Sequence, residues 1–247
     1  MPHDASVDGW RIDQLLHSTS AFVLVLFLVM LGWMLLSVLR HHERQKAHFD
    51  RGDSPRGIAA VLGVSAALFL TMDGHLFVGS VRAWRDVFGN FAAAEKRPGA
   101  VRIEVNAHQW AWTARYAGPD GRFNTSDDIV TLGEIVVPQG APVIFQLVST
   151  DVIHGFNVPN LRVKMDAVPG MVTQVWLEAK ETGEFEIACA QHCGINHYKM
   201  KGKLIVLPRD DWEQWAAAAS ANSASAYDES DSEGHWGWDW AAHAKLR

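Results

Sequence analysis

Two long apolar runs open the chain and predict a pair of membrane-spanning helices. Residues 21–39 (AFVLVLFLVMLGWMLLSVL) contain no charged side chain, and they are long enough to cross a bilayer core as one helix. A second run begins GIAAVLGVSAALFL at Gly57 and continues to about Val78, although a buried helix of a soluble domain gives a similar pattern. We therefore expect a transmembrane hairpin over residues 21–80, with spans near 21–39 and 57–78, after a polar segment at residues 1–20.

The charges around the first run predict its orientation. Residues 40–56 carry five basic and three acidic side chains, whereas residues 1–20 carry three acidic and one basic. The positive-inside rule places the connecting segment in the cytoplasm, and the acidic start is unlike a cleaved signal peptide. We expect a multi-pass protein of the inner membrane, with the N-terminus and the C-terminal domain on the periplasmic side.

After a linker at residues 81–100, short apolar runs separated by Gly- and Pro-containing turns predict β-strands. About seven strands within residues 101–208 are typical of an all-β sandwich or a Greek-key barrel. The expected strand segments are residues 101–116, 129–137, 143–148, 173–179, 184–190 and 203–207.

Residues 209–247 form a tail of different composition. Its first residues predict a short helix with Trp212 and Trp215 on one face, followed by a Ser/Ala/Asn linker, an acidic run and an aromatic end at residues 235–240. The tail carries eight acidic and three basic side chains. A mobile acidic extension and a segment whose tryptophans pack on a partner both fit this composition.

Composition narrows the class of protein. A net charge of −6 disfavours nucleic-acid binding, which needs a basic surface, so no nucleic-acid partner is expected. The 247 residues include only two cysteines. Two cysteines are too few to staple a domain of this size or to build a four-thiolate zinc or iron–sulfur site.

Both cysteines fall in one cluster of metal donors. Residues 189–200 read CAQHCGINHYKM, which places Cys189, Cys193, His197 and Met200 within twelve residues. Thiolate, imidazole and thioether are soft ligands that select copper over magnesium or calcium. Two cysteines can bridge two coppers, so a second histidine is expected, and His154 on a separate short apolar strand is the best candidate. There are two alternatives: a disulfide between the cysteines, and a zinc site of two cysteines and two histidines in which Met200 is not a ligand.

The run from residue 151 to Met200 resembles subunit II of the cytochrome c oxidases, in the haem–copper oxidase superfamily. The spacing Cys-x-x-x-Cys-Gly-x-x-His-x-x-Met is that of the family's binuclear CuA centre, and the resemblance covers residues 20 to about 208. It implies a cupredoxin-like Greek-key barrel after the two transmembrane helices.

The resemblance also implies the ligand set. By this likeness the two thiolates bridge a pair of copper ions, and each copper has two further ligands. The implied metal residues are Cys189 and Cys193 as bridges, His154 and Met200 on one copper, and His197 with the main-chain carbonyl of Gln191 on the other.

Two further segments resemble parts of the family that contact partner proteins. His108 to Trp112 (HQWAW) resembles the family's aromatic stretch, in which Trp110 takes the position of electron entry from cytochrome c. Residues 164–170 (KMDAVPG) resemble the segment that faces subunit I. The implied function is that of a cytochrome c oxidase subunit: electrons pass from cytochrome c through copper to haem in subunit I, where oxygen is reduced to water with proton translocation. Exposed carboxylates such as Asp120, Asp127, Asp128 and Asp151 would steer the basic cytochrome.

Two departures from the family pattern keep alternatives open. Gln191 replaces a glutamate whose side chain reaches magnesium at the subunit I interface, so magnesium would here depend on an uncharged amide. The second span lacks the family's proton-channel glutamate, which leaves a CuA-bearing nitric oxide reductase subunit as an alternative. A copper-free scaffold subunit is the other alternative, against which the complete donor set speaks.

Overall fold

A computed structural model of the protein describes residues 1–41, 51–226 and Ser230. The chain divides into two compact units, one of residues 11–86 and one of residues 1–10 together with residues 87–247. Each unit is considered by itself below.

The first unit contains two long apolar helices. Helix α1 runs Gly9–Arg40 and helix α2 runs Pro55–Ala83, and both are long and apolar enough to cross a membrane. Helix α1 begins well before residue 21, because no glycine or proline interrupts residues 10–20. Helix α2 starts where the Ser54 hydroxyl accepts a hydrogen bond from the Gly57 N–H, an N-cap beside a first-turn proline. Most of the basic connecting segment, residues 42–50, lies outside the described residues.

The expected linker at residues 81–100 is largely helical. A π-helical turn, Trp84–Phe88, follows α2, and a short helix α3 spans Phe91–Glu95. Helix α3 covers part of the β domain, where Ala94 packs with Ile144 and Trp176 in a small apolar cluster. Helix α3 therefore packs against the domain that follows it.

Two five-stranded sheets form the β domain, in the orders β3-β2-β1-β5-β8 and β4-β10-β9-β6-β7. The pairs β1/β5 and β4/β10 are parallel and the remaining pairs are antiparallel, so the prediction of an all-β cupredoxin-like domain is confirmed. The strands are β1 Val101–His108, β2 Ala111–Tyr116, β3 Ile129–Leu132, β4 Glu134–Pro138, β5 Pro142–Ser149, β6 His154–Val158, β7 Val163–Ala167, β8 Thr173–Glu178, β9 Gly183–Cys189 and β10 Lys201–Leu207.

Ten strands replace the expected seven, for local reasons. The predicted strand at residues 101–116 is a hairpin that turns at Gln109 and Trp110. The predicted strand at 129–137 breaks at Gly133, whose φ of 75° is readily available only to glycine. Strand β7 was missed, although its apolar residues alternate with Lys164 and Asp166.

The C-terminal helix packs against this domain. Helix α4 spans Arg209–Ala226, so the stretch predicted as a Ser/Ala/Asn linker is helical. The Trp212 indole donates to the Val136 carbonyl at 3.2 Å, and Trp215 meets Tyr116 edge to face at 5.4 Å. These two tryptophans therefore pack on their own domain, whereas the aromatic end at residues 235–240 lies outside the described residues.

The N-terminal segment is bound to the same domain. Ala5 is fully buried; its N–H donates to the Asn160 carbonyl at 2.8 Å, and its carbonyl accepts from the Lys180 N–H at 2.8 Å. The Val7 N–H donates to the Glu178 carbonyl at 2.9 Å. Residues 2–8 are thus hydrogen-bonded to the domain, with an isolated antiparallel bridge between Ser6 and Ala179 just after β8.

Candidate metal centre

The loop between β9 and β10 folds its donors inward. Strand β9 ends at Cys189 and β10 begins at Lys201, and the Cys189 N–H donates to the Met200 carbonyl across the base of the loop at 3.1 Å. Within the loop, a 3-10 turn at His197–Lys199 returns the chain toward Cys193. The close sequence spacing of the donors therefore becomes close spacing in three dimensions.

Sulfur and nitrogen atoms converge on Cys193. Its Sγ lies 3.7 Å from Cys189 Sγ, 3.7 Å from Met200 Sδ and 3.6 Å from His197 Nδ1. Both cysteines are free thiols, so the disulfide alternative is not what the structure contains. Cys193 and Met200 are almost fully buried, which shields their sulfurs from water, whereas Cys189 is partly exposed.

His154 reaches the cysteines from the other hairpin. One ligand atom each from His154, Cys189 and Cys193 lie within 4.8 Å of one another. The approach depends on Gly155, because a Cβ at this position would lie 2.9 Å from the main-chain carbon of Ala190. The sequence-predicted ligands therefore lie together, although they come from two separate segments of the sheet.

The two ring nitrogens of His154 have different surroundings, and one of them is free to bind a ligand. The ring is fully buried, and its Nε2 lies 2.8 Å from Asp151 Oδ1. A carboxylate accepts hydrogen bonds, so Nε2 carries the proton and Nδ1 holds a lone pair. Nδ1 is buried without a hydrogen-bond partner in the part of the chain that the structure describes. Such an unpaired buried atom is costly, and a metal ion is the partner that its chemistry fits.

The acid–base properties of two side chains follow from these surroundings. Burial, together with the neighbouring Cys189, raises the pKa of the Cys193 thiol to about 12. Burial also opposes ionisation of Asp151, but hydrogen bonds from His154, Val152 and Gln109 hold the pKa of its carboxyl below the ordinary value. Cysteine binds metal as the thiolate, so metal uptake must displace the Cys193 proton.

Trp110, the predicted electron-entry residue, contacts the donor loop directly. Its indole Nε1 donates to the Cys193 carbonyl at 3.2 Å. The same carbonyl accepts a bond from Gln109 Nε2 at 2.8 Å, and sequence reasoning missed this residue. Gly194 has a φ of 117°, and its missing side chain leaves room for both contacts.

Gln191 contributes its main chain to the cluster. Its carbonyl oxygen lies 3.1 Å from Cys189 Sγ, whereas its side chain is exposed. The expectation of magnesium at Gln191 finds no support: among the described residues, the cluster of His, Cys, Asp or Glu side chains that could hold a metal ion is formed by His154, Cys189 and Cys193.

The carboxylates suggested for steering a partner differ in exposure. Asp120 is exposed, but Asp128 is buried and lies 3.7 Å from the buried Arg115. Asp128 is therefore part of an internal ion-pair cluster and cannot face a partner. Asp151 is largely occupied by the contacts to His154 and Gln109.

The fold and the donors define a class: a cupredoxin-like domain with a histidine, cysteine and methionine site. Residues 101–207 match the family model described as "Cytochrome C oxidase subunit II, periplasmic domain". Over this domain the chain is similar to the cytochrome c oxidase subunit II family, in agreement with the resemblance carried by the sequence motif.

Individual relatives agree with this assignment. An alternative cytochrome c oxidase subunit 2 of Bradyrhizobium diazoefficiens is 38% identical over 138 residues, covering 47% of this chain and 50% of the relative. A cytochrome c oxidase subunit 2 of Alkalihalophilus pseudofirmus is 38% identical over 141 residues, covering 54% of this chain and 39% of the relative. The chain thus spans about half or less of the length of these curated relatives.

A solved structure is also similar. It is the crystal structure of the periplasmic domain of subunit II of cytochrome oxidase from Bradyrhizobium japonicum, with 27% identity and a TM-score of 0.44. The alignment covers 49% of this chain and 94% of that one.

Proposed function

We propose that this chain is the electron-accepting subunit II of a membrane-bound terminal oxidase, with a binuclear copper centre of the CuA type in its β domain. The observation that carries the proposal is the convergence on Cys193 of a second thiol, an imidazole and a thioether at 3.6–3.7 Å. Soft donors in a buried pocket match copper in both of its common oxidation states.

The residues present fit a copper pair. The thiolates of Cys189 and Cys193, whose sulfurs lie 3.7 Å apart, would hold both ions. His154, with its unpaired Nδ1, and Met200 would be further ligands of one ion, and His197 with the Gln191 carbonyl of the other. Bound copper would supply one-electron redox chemistry at this site.

The chain's own residues would hold the metal ligands in place and give an electron donor access to the site. His154 begins β6, Cys189 ends β9 and Met200 directly precedes β10. These strand ends would limit how far the ligands relax when the charge of the site changes. Trp110 lies between the surface and the Cys193 carbonyl, a position suited to contact with a donor protein. We propose cytochrome c as that donor, and subunit I of a haem–copper oxidase as the partner that receives the electron beside residues 164–170.

Oxygen reduction to water, coupled to proton translocation, would belong to the whole complex. Within it, this chain would perform electron transfer and not the oxygen chemistry.

Residues 164–170 support a docking role in part: Lys164 and the nearby Met171 are exposed, whereas Ala167 is buried in the core.

The N-terminal segment supports our proposal for the orientation in the membrane. Residues 2–8 are hydrogen-bonded to the β domain, so both belong on one side of the membrane, and the chain between them must cross an even number of times. Helices α1 and α2 would provide two such crossings. By the positive-inside rule, the basic segment at residues 40–56 would then lie in the cytoplasm and the domain in the periplasm. Labelling intact cells with an impermeant amine reagent should modify Lys201 and Lys203 but leave Lys46 unmodified; the reverse pattern would contradict this orientation.

Copper analysis of the full chain in detergent tests the function. We expect two coppers per chain and a purple mixed-valence spectrum, and both should be lost in Cys193→Ser. His197→Gln should lose copper, whereas His192→Gln should retain both ions, because His192 is exposed and lies beside His197 without joining the donor cluster. One copper per chain, or full copper loading of Cys193→Ser, would refute the copper pair. Bound zinc in place of copper would favour a zinc site, and no bound metal would favour a scaffold role.

A further inference from the structure

Asp151 contacts two parts of the site that the sequence keeps far apart. Its Oδ1 accepts a hydrogen bond from His154 Nε2 at 2.8 Å, and its Oδ2 accepts one from the Gln109 main-chain N–H at 2.6 Å. Its side chain is 29% exposed, so both bonds are only partly screened by water. One carboxylate therefore joins the β1–β2 turn to strand β6.

The orientation of Asp151 is itself fixed by its neighbours. The Val152 N–H donates to Oδ1 at 2.6 Å, and the Ser149 hydroxyl donates to the same oxygen at 3.2 Å. The Ser149 hydroxyl also lies against the Val152 carbonyl. This small turn before β6 sets the position of the carboxylate before any metal is bound.

On the side of His154, the contact selects the tautomer. Because Asp151 can only accept at Oδ1, the proton of the neutral ring stays on Nε2 and the buried Nδ1 remains available as a donor. The fully buried Trp112 packs edge-on to the same ring at 6.1 Å. The ring is therefore held by a hydrogen bond at one end and by packing on its face.

On the side of the turn, the contact positions Trp110. The Gln109 N–H bonded to Asp151 immediately precedes Trp110 in the chain, and both side chains of this dipeptide donate to the Cys193 carbonyl. The contacts thus form a continuous series from His154 through Asp151 and Gln109 to Cys193. Asp151 is the member that contacts both the histidine and the turn carrying the tryptophan.

We propose that Asp151 is a positioning residue that sets the ligand geometry of His154 and the placement of Trp110 together. It thereby couples the surface where an electron enters to the centre that receives it. The inference rests on the proposed function in one respect, that His154 binds copper. It differs from an electrostatic steering role, in which Asp151 would act only on the approach of a charged partner.

Two substitutions at Asp151 and one control separate these roles in the full chain. Asp151→Ala removes both hydrogen bonds. Asp151→Asn keeps the shape and one acceptor oxygen, but it cannot accept both bonds. Asp120→Asn removes the same charge from an exposed loop. Copper affinity is measured by competition with a copper(I) chelator, and the copper environment by the hyperfine pattern of the electron paramagnetic resonance spectrum.

We expect Asp151→Ala to bind copper about 10- to 100-fold more weakly, the usual effect of losing a hydrogen bond to a metal-binding histidine, with an altered hyperfine pattern. Asp151→Asn should fall between Asp151→Ala and the unsubstituted chain, and Asp120→Asn should match the unsubstituted chain. In the copper-free chain, hydrogen exchange at the Gln109 amide should become faster in Asp151→Ala and stay unchanged in Asp120→Asn.

The outcomes distinguish the two levels of inference. If the unsubstituted chain holds no copper pair, the proposed function fails. If it holds the pair but Asp151→Ala has the same affinity, spectrum and Gln109 exchange, the positioning role alone fails. If Asp151→Ala does not fold, Asp151→Asn decides, and unchanged copper affinity and spectrum in that variant would overturn the inference.

Discussion

The indole nitrogen of Trp110 donates a hydrogen bond to the main-chain carbonyl of Cys193, at 3.2 Å. A half-buried aromatic side chain on the β1–β2 turn is thereby joined to the residue on which the metal donors converge. The contact crosses 83 positions of sequence, so it depends on how the two sheets bring their loops together.

Trp110→Phe should slow electron entry without changing the copper centre. Phenylalanine keeps an aromatic ring but has no N–H to bind the Cys193 carbonyl. We expect the rate of reduction by cytochrome c to fall by about tenfold or more, or about 1.4 kcal/mol in activation free energy. Stopped-flow reduction of the copper-loaded chain measures this rate. Trp176→Phe is the matched control, because that indole N–H is buried without a hydrogen-bond partner in the described structure; equal rates in the two variants would contradict the role of Trp110.

Met200→Leu should change the electronic properties of the centre more than the stability of the fold. Met200 is 1% exposed, and leucine fills a similar volume, so the free energy of unfolding should fall by less than about 1.5 kcal/mol. The variant replaces a thioether donor by a hydrocarbon, and the ligand at such a position tunes the reduction potential, so the potential should shift. Redox titration followed by visible absorption measures the potential. Met171→Leu, at an exposed position, should leave it unchanged, and an unshifted potential in Met200→Leu would exclude the thioether as a ligand.

Local sequence was enough to predict the donor cluster but not the contacts that organise it. Cys189, Cys193, His197 and Met200 lie within twelve residues, so their spacing alone limits their separation. Gln109 and Asp151 act through a contact between two hairpins, and neither has a local pattern that marks it.

The same distinction applies to the fold. Alternating apolar residues predicted the β domain, yet the break at Gly133 and the turn at Gln109 were missed because the runs on both sides are continuous in hydrophobicity. Gly133 itself was a usable signal, since an isolated glycine in a strand often marks a break. Helix α4 extends through a polar stretch because alanine favours helix and the Ser220 hydroxyl bonds to the Asp127 carbonyl at 2.9 Å, which is a tertiary contact.

Gly155→Ala should separate His154 from the cysteine loop. An added Cβ would lie 2.9 Å from the Ala190 main-chain carbon and 3.0 Å from the Gln191 nitrogen, and main chain cannot move aside as a flexible side chain can. We expect weaker copper binding and a loss of stability of about 1–3 kcal/mol, as for overpacking of a core. Copper competition and thermal unfolding measure the two effects. In Gly121→Ala the added Cβ meets no atom within 4 Å, so backbone strain alone should lower stability there and copper binding should be normal. Normal copper binding by Gly155→Ala would show that the close approach does not matter.

Glu104 should give the β domain a stability that falls as pH rises. Its carboxylate is fully buried against Arg115, and burial outweighs the attraction of that guanidinium, which raises the pKa of Glu104 from 4.5 to about 8. The unfolded chain loses this proton near pH 4.5, whereas the folded chain keeps it to about pH 8. Between these values the folded state therefore binds more protons, and the free energy of unfolding declines with rising pH by at most about 1.4 kcal/mol per unit.

Glu104→Gln cannot ionise and should flatten this slope in the copper-free chain, leaving the smaller contribution of Asp128, whose pKa burial also raises. Denaturant unfolding at pH 5, 6, 7 and 8 measures the slope. Glu186→Gln removes a half-exposed carboxylate paired with Lys201 and should keep the slope of the unsubstituted chain. If Glu104→Gln keeps that slope as well, Glu104 is ionised throughout this range, and its pairing with Arg115 outweighs the cost of its burial.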